Sequence, residues 1–173
     1  KIDLEEIRSR GLVFCNTPDY GTDEVSDTAL AMMLSLLRGV FAYNILSKGY
    51  SNTWQENTIE KLRRVSGLTL GVIGAGRIGT ALMRKTKALS MNIVFYDPYK
   101  DSGYEKAIGV NRCYDLEEFL IQCDVVSMHT PLTEETRSMI DENFISNMKQ
   151  DSILINSSRG EVVKDLDIIY RAL

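Results

Sequence analysis

At 173 residues with ordinary apolar content, the chain is long enough for one domain and a piece of another, and it needs no metal or disulfide staple to hold a core. A net charge of −4 with no long single-sign run argues against a direct nucleic-acid partner, and Lys61, Arg63, Arg64, Arg84, Lys85 and Lys87 read as solvated helix surface. The cysteines, Cys15, Cys113 and Cys123, match no zinc or CxxC spacing, no apolar run is long enough for a bilayer, and no signal-peptide pattern opens the chain; a cytoplasmic protein with no membrane partner is expected.

Residue 1 is Lys rather than Met, so a fragment or processed product is expected. Short apolar runs alternate with longer amphipathic ones, without internal repeats, which predicts βαβ units and a parallel sheet of the α/β class. Residues 2–10 are expected to form a short helix, 12–16 a strand and 17–21 a loop. A long helix is expected from about Asp23, with Thr22 as its N-cap and with Asp23 and Glu24 suited to the positive end of its dipole. Val25, Ala29, Met32, Met33, Leu36 and Leu37 mark one face at helical spacing, better suited to core or subunit contact than to a cofactor. Gly39 is expected to break this helix before a second helical stretch to about Lys48, and 49–67 to be an irregular connection.

The strongest pattern follows. Residues 68–73 read as a strand, 74–79 as a glycine-rich turn and 77–89 as a helix. Gly74-Ala75-Gly76-Arg77-Ile78-Gly79 fits GxGxxG, a weak pattern alone but a demanding one between a buried strand and a helix. Gly74 allows the tight turn, Gly76 lets backbone approach a pyrophosphate, and Gly79 lets the helix pack on the strand. The pyrophosphate would sit at the helix N-terminus, with Arg77 available for a charge-assisted hydrogen bond. The next strand, 92–96, ends at Asp97-Pro98, close to the offset of about 20 residues expected for a ribose-binding acid. A carboxylate there accepts from ribose hydroxyls and repels a 2′-phosphate, which favours NAD over NADP; the plain alternative is a turn former before Pro98.

Further along, Asp115 is expected to cap a short helix to about Gln122, 125–128 to be a strand, Asp141 to cap a helix carrying Phe144, Ile145 and Met148, 152–156 to be a strand, and 164–173 a helix. Two strand ends should lie near the same groove, His129-Thr130-Pro131 and Asn156-Ser157-Ser158-Arg159. His129, the sole histidine, has no patterned acidic partner and reads as a hydrogen-bonded strand-end residue rather than a catalyst. Arg159 has the planar fork that holds a carboxylate at two points, though an ordinary surface ion pair fits its spacing as well.

Taken in order, the segments 2–4 (IDL) with 11–18 (GLVFCNTP), 25–27 (VSD), 70–79 (LGVIGAGRIG), 95–99 (FYDPY), 129–136 (HTPLTEET) and 156–163 (NSSRGEVV) resemble the D-isomer-specific 2-hydroxyacid dehydrogenases, a family that includes phosphoglycerate dehydrogenases and the C-terminal binding protein corepressors. The resemblance implies a Rossmann-type, doubly wound NAD-binding domain at 21–173, with 1–20 the end of a first segment of a flavodoxin-like substrate domain. It implies a homodimer formed through the helix near Asp23. It implies cofactor contacts at Gly74, Gly76, Arg77, Ile78, Gly79, Asp97, Pro98, Thr130, Pro131, Ser157, Ser158 and Arg159. Arg159 also inherits the catalytic role of binding the substrate's carboxylate and keto oxygen. The implied activity is hydride transfer between NAD and a D-2-hydroxyacid or 2-oxoacid. The family's acid–base histidine and its glutamate fall beyond position 173, so these residues alone are expected to bind NAD without reducing a 2-oxoacid. The alternative implied by the corepressor relatives is an NAD(H)-sensing binding protein.

Overall fold

The computed structural model describes residues 2–49, 59 and 61–173. Five strands, β1 (Thr69–Ile73), β2 (Asn92–Tyr96), β3 (Asn111–Arg112), β4 (Val125–Met128) and β5 (Ile153–Asn156), form one sheet in the order β3-β2-β1-β4-β5. All of its pairings are parallel. Around it run α1 (Leu4–Ser9), α2 (Thr22–Arg38), α3 (Val40–Ser47), α4 (Arg77–Thr86), α5 (Tyr104–Ile108), α6 (Leu116–Gln122), α7 (Glu142–Asn147) and α8 (Leu166–Ala172). The central strands are apolar on both faces because both faces are covered, as parallel sheets require.

One face packs Leu70, Val72, Phe95, Val125 and Ile155 against Ala29, Met33 and Leu37 of α2 and Leu82 and Met83 of α4. The other packs Ile73, Val94, Val126 and Met128 against Phe119, Leu120 and Cys123 at α6 and Phe144 of α7. The period-2 alternation along each strand sends neighbours to opposite layers. Gly71 makes the second layer possible: a Cβ there would lie 2.3 Å from Cys123 Sγ and 2.6 Å from Phe119 Cζ. Overpacking of this kind costs about 1–3 kcal/mol. Gly71→Ala is therefore expected to lower the denaturant midpoint without changing the slope of unfolding, and an unchanged midpoint would show that α6 yields freely.

The chain runs outward from β1 to β2 to β3, then returns to the middle and runs the other way through β4 and β5. The order therefore reverses between β1 and β4, and a crevice opens at their carboxyl ends. Helix starts at α6 and α7 follow the sequence reading: the Asp115 carboxylate accepts from Glu118 N at 2.8 Å and the Asp141 carboxylate from Phe144 N at 2.9 Å. Gly39 ends α2 in the left-handed region, at φ 62°.

Four expectations differ. Residues 12–16 form no strand; Leu12, Val13 and Phe14 are exposed, and none joins a strand pairing among the described residues. Thr22 is the first residue of α2 rather than its cap, because its hydroxyl turns to the Asp19 carboxylate and leaves Gly21 at the cap position. Met32 and Leu36 point outward while Met33 and Leu37 fill the core, since the buried stripe of α2 is narrower than its apolar one. Short elements, α5 and β3, lie where no element was expected. The connection expected over 49–67 falls largely outside the described residues.

Candidate functional site

Register brings the site together. Ile73 pairs with Tyr96 and with Met128, and Met128 pairs with Asn156. The residues that follow these four, Gly74, Asp97, His129 and Ser157, leave the sheet side by side at one edge of the crevice.

Gly74 turns at φ +91°, and a Cβ on it would lie 2.8 Å from the His129 carbonyl oxygen, so both conformation and space demand glycine. Gly79, in the first turn of α4, sits so close beneath the loop that a Cβ would be 2.2 Å from Gly74 O. Gly76 is the opposite case, with nothing within 4 Å of its Cβ position. Among the described residues no side chain caps α4, so its first amides keep their donors for an anion. Thr80 and Tyr104 brace the loop from behind: the Thr80 hydroxyl reaches Ala75 O at 3.1 Å and the Tyr104 hydroxyl at 2.6 Å.

Asp97 faces the loop. Its Oδ2 accepts from Ala75 N at 2.8 Å and its Oδ1 from Tyr99 N at 3.0 Å. These bonds fix the carboxylate's orientation and leave each oxygen further acceptor capacity.

Two cavities meet over this loop. The first, about 590 Å³, lies between the end of β2 and the segment after β4, with Gly74, Gly76, Asp97, Pro98, Thr130 and Pro131 among its walls. The second, about 850 Å³, takes Gly76, Arg77, Ile78 and Ser157–Arg159 on one side and residues 16, 17 and 19–22 on the other. Gly76, His129, Thr130 and Pro131 belong to both, so the two form one bilobed groove. At the junction the Thr130 hydroxyl oxygen is buried with no hydrogen-bond partner among the described residues. A buried hydroxyl left in that state is costly and points to a ligand group that completes it.

His129 is spoken for. Ser127 Oγ lies 2.9 Å from Nε2, and Ser157 Oγ lies 3.3 Å from Nδ1 and 3.4 Å from the Met128 carbonyl. A neutral imidazole donates from one nitrogen and accepts at the other, and each nitrogen here has a serine hydroxyl within reach. Burial pushes the pKa of His129 down to about 4, so the ring is neutral at physiological pH.

Arg159 projects from a tight turn after β5. Asn156 builds that turn: its Oδ1 accepts from Ser158 N at 3.0 Å and from Ser158 Oγ at 2.8 Å, and its Nδ2 donates to Arg159 O at 2.8 Å. The guanidinium is exposed and donates to Ser158 O at 2.8 Å, which leaves most of its donors without a partner among the described residues.

The family model for the D-isomer-specific 2-hydroxyacid dehydrogenase NAD-binding domain matches residues 30–173. The chain belongs to this family. A glyoxylate reductase of Korarchaeum cryptofilum is 39% identical over 99% of the chain, which spans 52% of that protein. C-terminal-binding protein 1 of Caenorhabditis elegans is 30% identical over 96% of the chain, which spans 24% of it. Among solved structures, the D-lactate dehydrogenase of Aquifex aeolicus complexed with NAD and lactic acid is 36% identical, with a TM-score of 0.85 over 99% of the chain and 50% of that protein. The chain thus spans about half the length, or less, of the relatives it matches.

The family domain binds NAD, and the groove fits it. Gly76 offers bare backbone, α4 offers uncapped amides, and Thr130 offers an unpartnered hydroxyl. Every residue singled out from the sequence lines a lobe except Gly79, which acts from behind the loop. Sequence reasoning missed Tyr99, Glu135 and Met139 in the first lobe, Asn16, Thr17, Asp19 and Tyr20 in the second, and Asn156 and Tyr104 as supports. The FYDPY and HTPLTEET segments already contained Tyr99 and Glu135; no spacing marked them, because their meeting depends on two loops converging across the sheet.

Proposed function

We propose that this domain provides the cofactor platform and the substrate-anchoring arginine of a dehydrogenase that moves hydride between nicotinamide and a D-2-hydroxyacid or its 2-oxoacid. The observation that carries the reading is the bilobed groove: a fixed carboxylate, Asp97, in one lobe, an open arginine fork, Arg159, in the other, and a bare-backbone turn between them. Gly76 and the α4 amides would hold the pyrophosphate, Asp97 the adenosine ribose, and Thr130 with Ser157 and Ser158 the nicotinamide half. Bound NADH supplies hydride to a carbonyl carbon. Arg159 would grip the substrate carboxylate and polarise its keto oxygen. His129 does not supply the proton in this scheme; both its nitrogens are engaged within the protein and its role is to tie the β4 and β5 ends together.

The exposed apolar run Leu12–Phe14 supports reading residues 1–20 as the tail of a substrate-domain segment, where a strand would find its partner. The outward Met32 and Leu36 of α2, continued by Val40, Phe41 and Ile45, support a homodimer through this helix pair.

Asp97→Asn tests the cofactor assignment. The amide keeps the side chain's size and one acceptor but removes its charge. The wild-type protein is expected to bind NADH more tightly than NADPH, and the variant to lose about tenfold or more of that preference, read by calorimetry. A preference unchanged by the substitution would remove Asp97 from the ribose site.

A further inference from the structure

Resting on the NAD reading above, we propose that Glu135, held at the rim of the adenosine lobe by Tyr99, is a second specificity-determining carboxylate that disfavours adenosine bearing a 2′-phosphate. The two residues stand on opposite walls of the lobe, Tyr99 after β2 and Glu135 after β4, and the Tyr99 hydroxyl donates to the Glu135 carboxylate across the opening. Both side chains belong to exposed residues, so this contact fixes a charge that would otherwise swing in solvent.

The segment carrying Glu135 is itself shaped. The Thr136 hydroxyl accepts from Thr133 N at 2.8 Å and donates to Pro131 O at 2.6 Å, and Arg137 N donates to Thr133 O at 2.9 Å. This compact turn sets residues 134 and 135 on the lobe wall. The Glu135 carboxylate raises the Tyr99 phenol above its ordinary pKa, so the phenol remains a donor throughout the neutral range.

The charge around the lobe is one-sided. Asp97, Glu134 and Glu135 line it, and no Lys or Arg does so among the described residues. Lys100 and Arg112 border an adjoining cavity of about 360 Å³ that shares Tyr96, Asp97 and Pro98 with the lobe, and the Arg112 Nε there is buried without a hydrogen-bond partner among the described residues. Lys100 Nζ sits 4.7 Å from the centroid of the Tyr104 ring, and Arg112 donates to the carbonyls of Asp97 at 2.7 Å and Asp101 at 3.3 Å. Ribose hydroxyls are neutral donors and gain from such a lobe. A 2′-phosphate brings between about one and a half and two negative charges beside three carboxylates, with no cation among the lobe's own lining residues.

The test compares adenosine fragments on the full-length protein, using AMP against 2′,5′-ADP and NADH against NADPH, for wild type, Glu135→Gln and Tyr99→Phe. Glu135→Gln is expected to shift both ratios toward the 2′-phosphorylated ligand by about fivefold, with the shift shrinking at high salt. Tyr99→Phe keeps the charge but frees it, and is expected to shift them less, with the melting temperature unchanged in both variants. Ratios unmoved by Glu135→Gln in a protein that binds NADH and still responds to Asp97→Asn would overturn this inference alone. A wild-type protein that binds neither NADH nor AMP would overturn the NAD reading and this inference with it.

Discussion

Gly79→Ala is expected to lower NADH affinity by at least about tenfold and to lower the melting temperature by several degrees. A Cβ at this position would fall 2.2 Å from the Gly74 carbonyl, which is backbone and has no rotamer to escape by. Relief requires α4 to move away from the loop by more than half an ångström. That movement would carry its uncapped amides away from the phosphate position and open the packing of Leu82 and Met83 against the sheet. Gly76→Ala is the matched control. Its Cβ meets nothing within 4 Å and its φ of −70° suits any residue, so the fold is expected to be untouched. The methyl would nonetheless occupy the approach to the pyrophosphate. The pair should therefore separate: Gly76→Ala weakens NADH binding at constant melting temperature, and Gly79→Ala changes both. Wild-type affinity in Gly76→Ala would mean that the dinucleotide does not pass over this turn.

How much of this was visible in the sequence depends on what fixes each feature. β2 and β4 were legible to the residue because each is a short apolar run buried on both faces, and burial is what periodicity reports. Asp97 was legible from an offset because parallel register is rigid: once Ile73 pairs with Tyr96, the residue after each strand must emerge beside the other. The strand expected over 12–16 shows the converse. Its composition favours a pleated, half-buried surface, but β-propensity becomes a strand only where a partner supplies hydrogen bonds, and no partner stands beside Leu12–Phe14 among the described residues. α5 and β3 are too short, at five and two residues, for any period to accumulate. Asn156 was quoted as part of a strand-end segment, but its work, holding the turn through three hydrogen bonds, is local geometry that a sequence pattern does not encode.

Arg159→Gln should be the most damaging change to turnover: kcat/KM for 2-oxoacid reduction by the full-length protein is expected to fall by about 10² to 10³-fold, with the dissociation constant for NADH changed little. Among the described residues the Arg159 guanidinium has no acidic partner and donates to the carbonyl of its own neighbour, so it is not a structural ion pair whose loss would unfold the turn. Asn156 holds the backbone on either side of it, so the turn survives truncation of the side chain. What disappears is a charged, planar pair of donors at the lip of the second lobe. A substrate carboxylate uses both donors in the ground state, which raises KM, while charge growing on the keto oxygen uses them more strongly in the transition state, which lowers kcat. Arg159→Lys keeps the charge but loses the fork, so it should rescue KM more than kcat. If lysine restored both parameters, the group would be acting as a point charge and the two-point grip would be wrong. If glutamine left both unchanged, the arginine would be surface and the substrate's carboxylate would have to be held elsewhere.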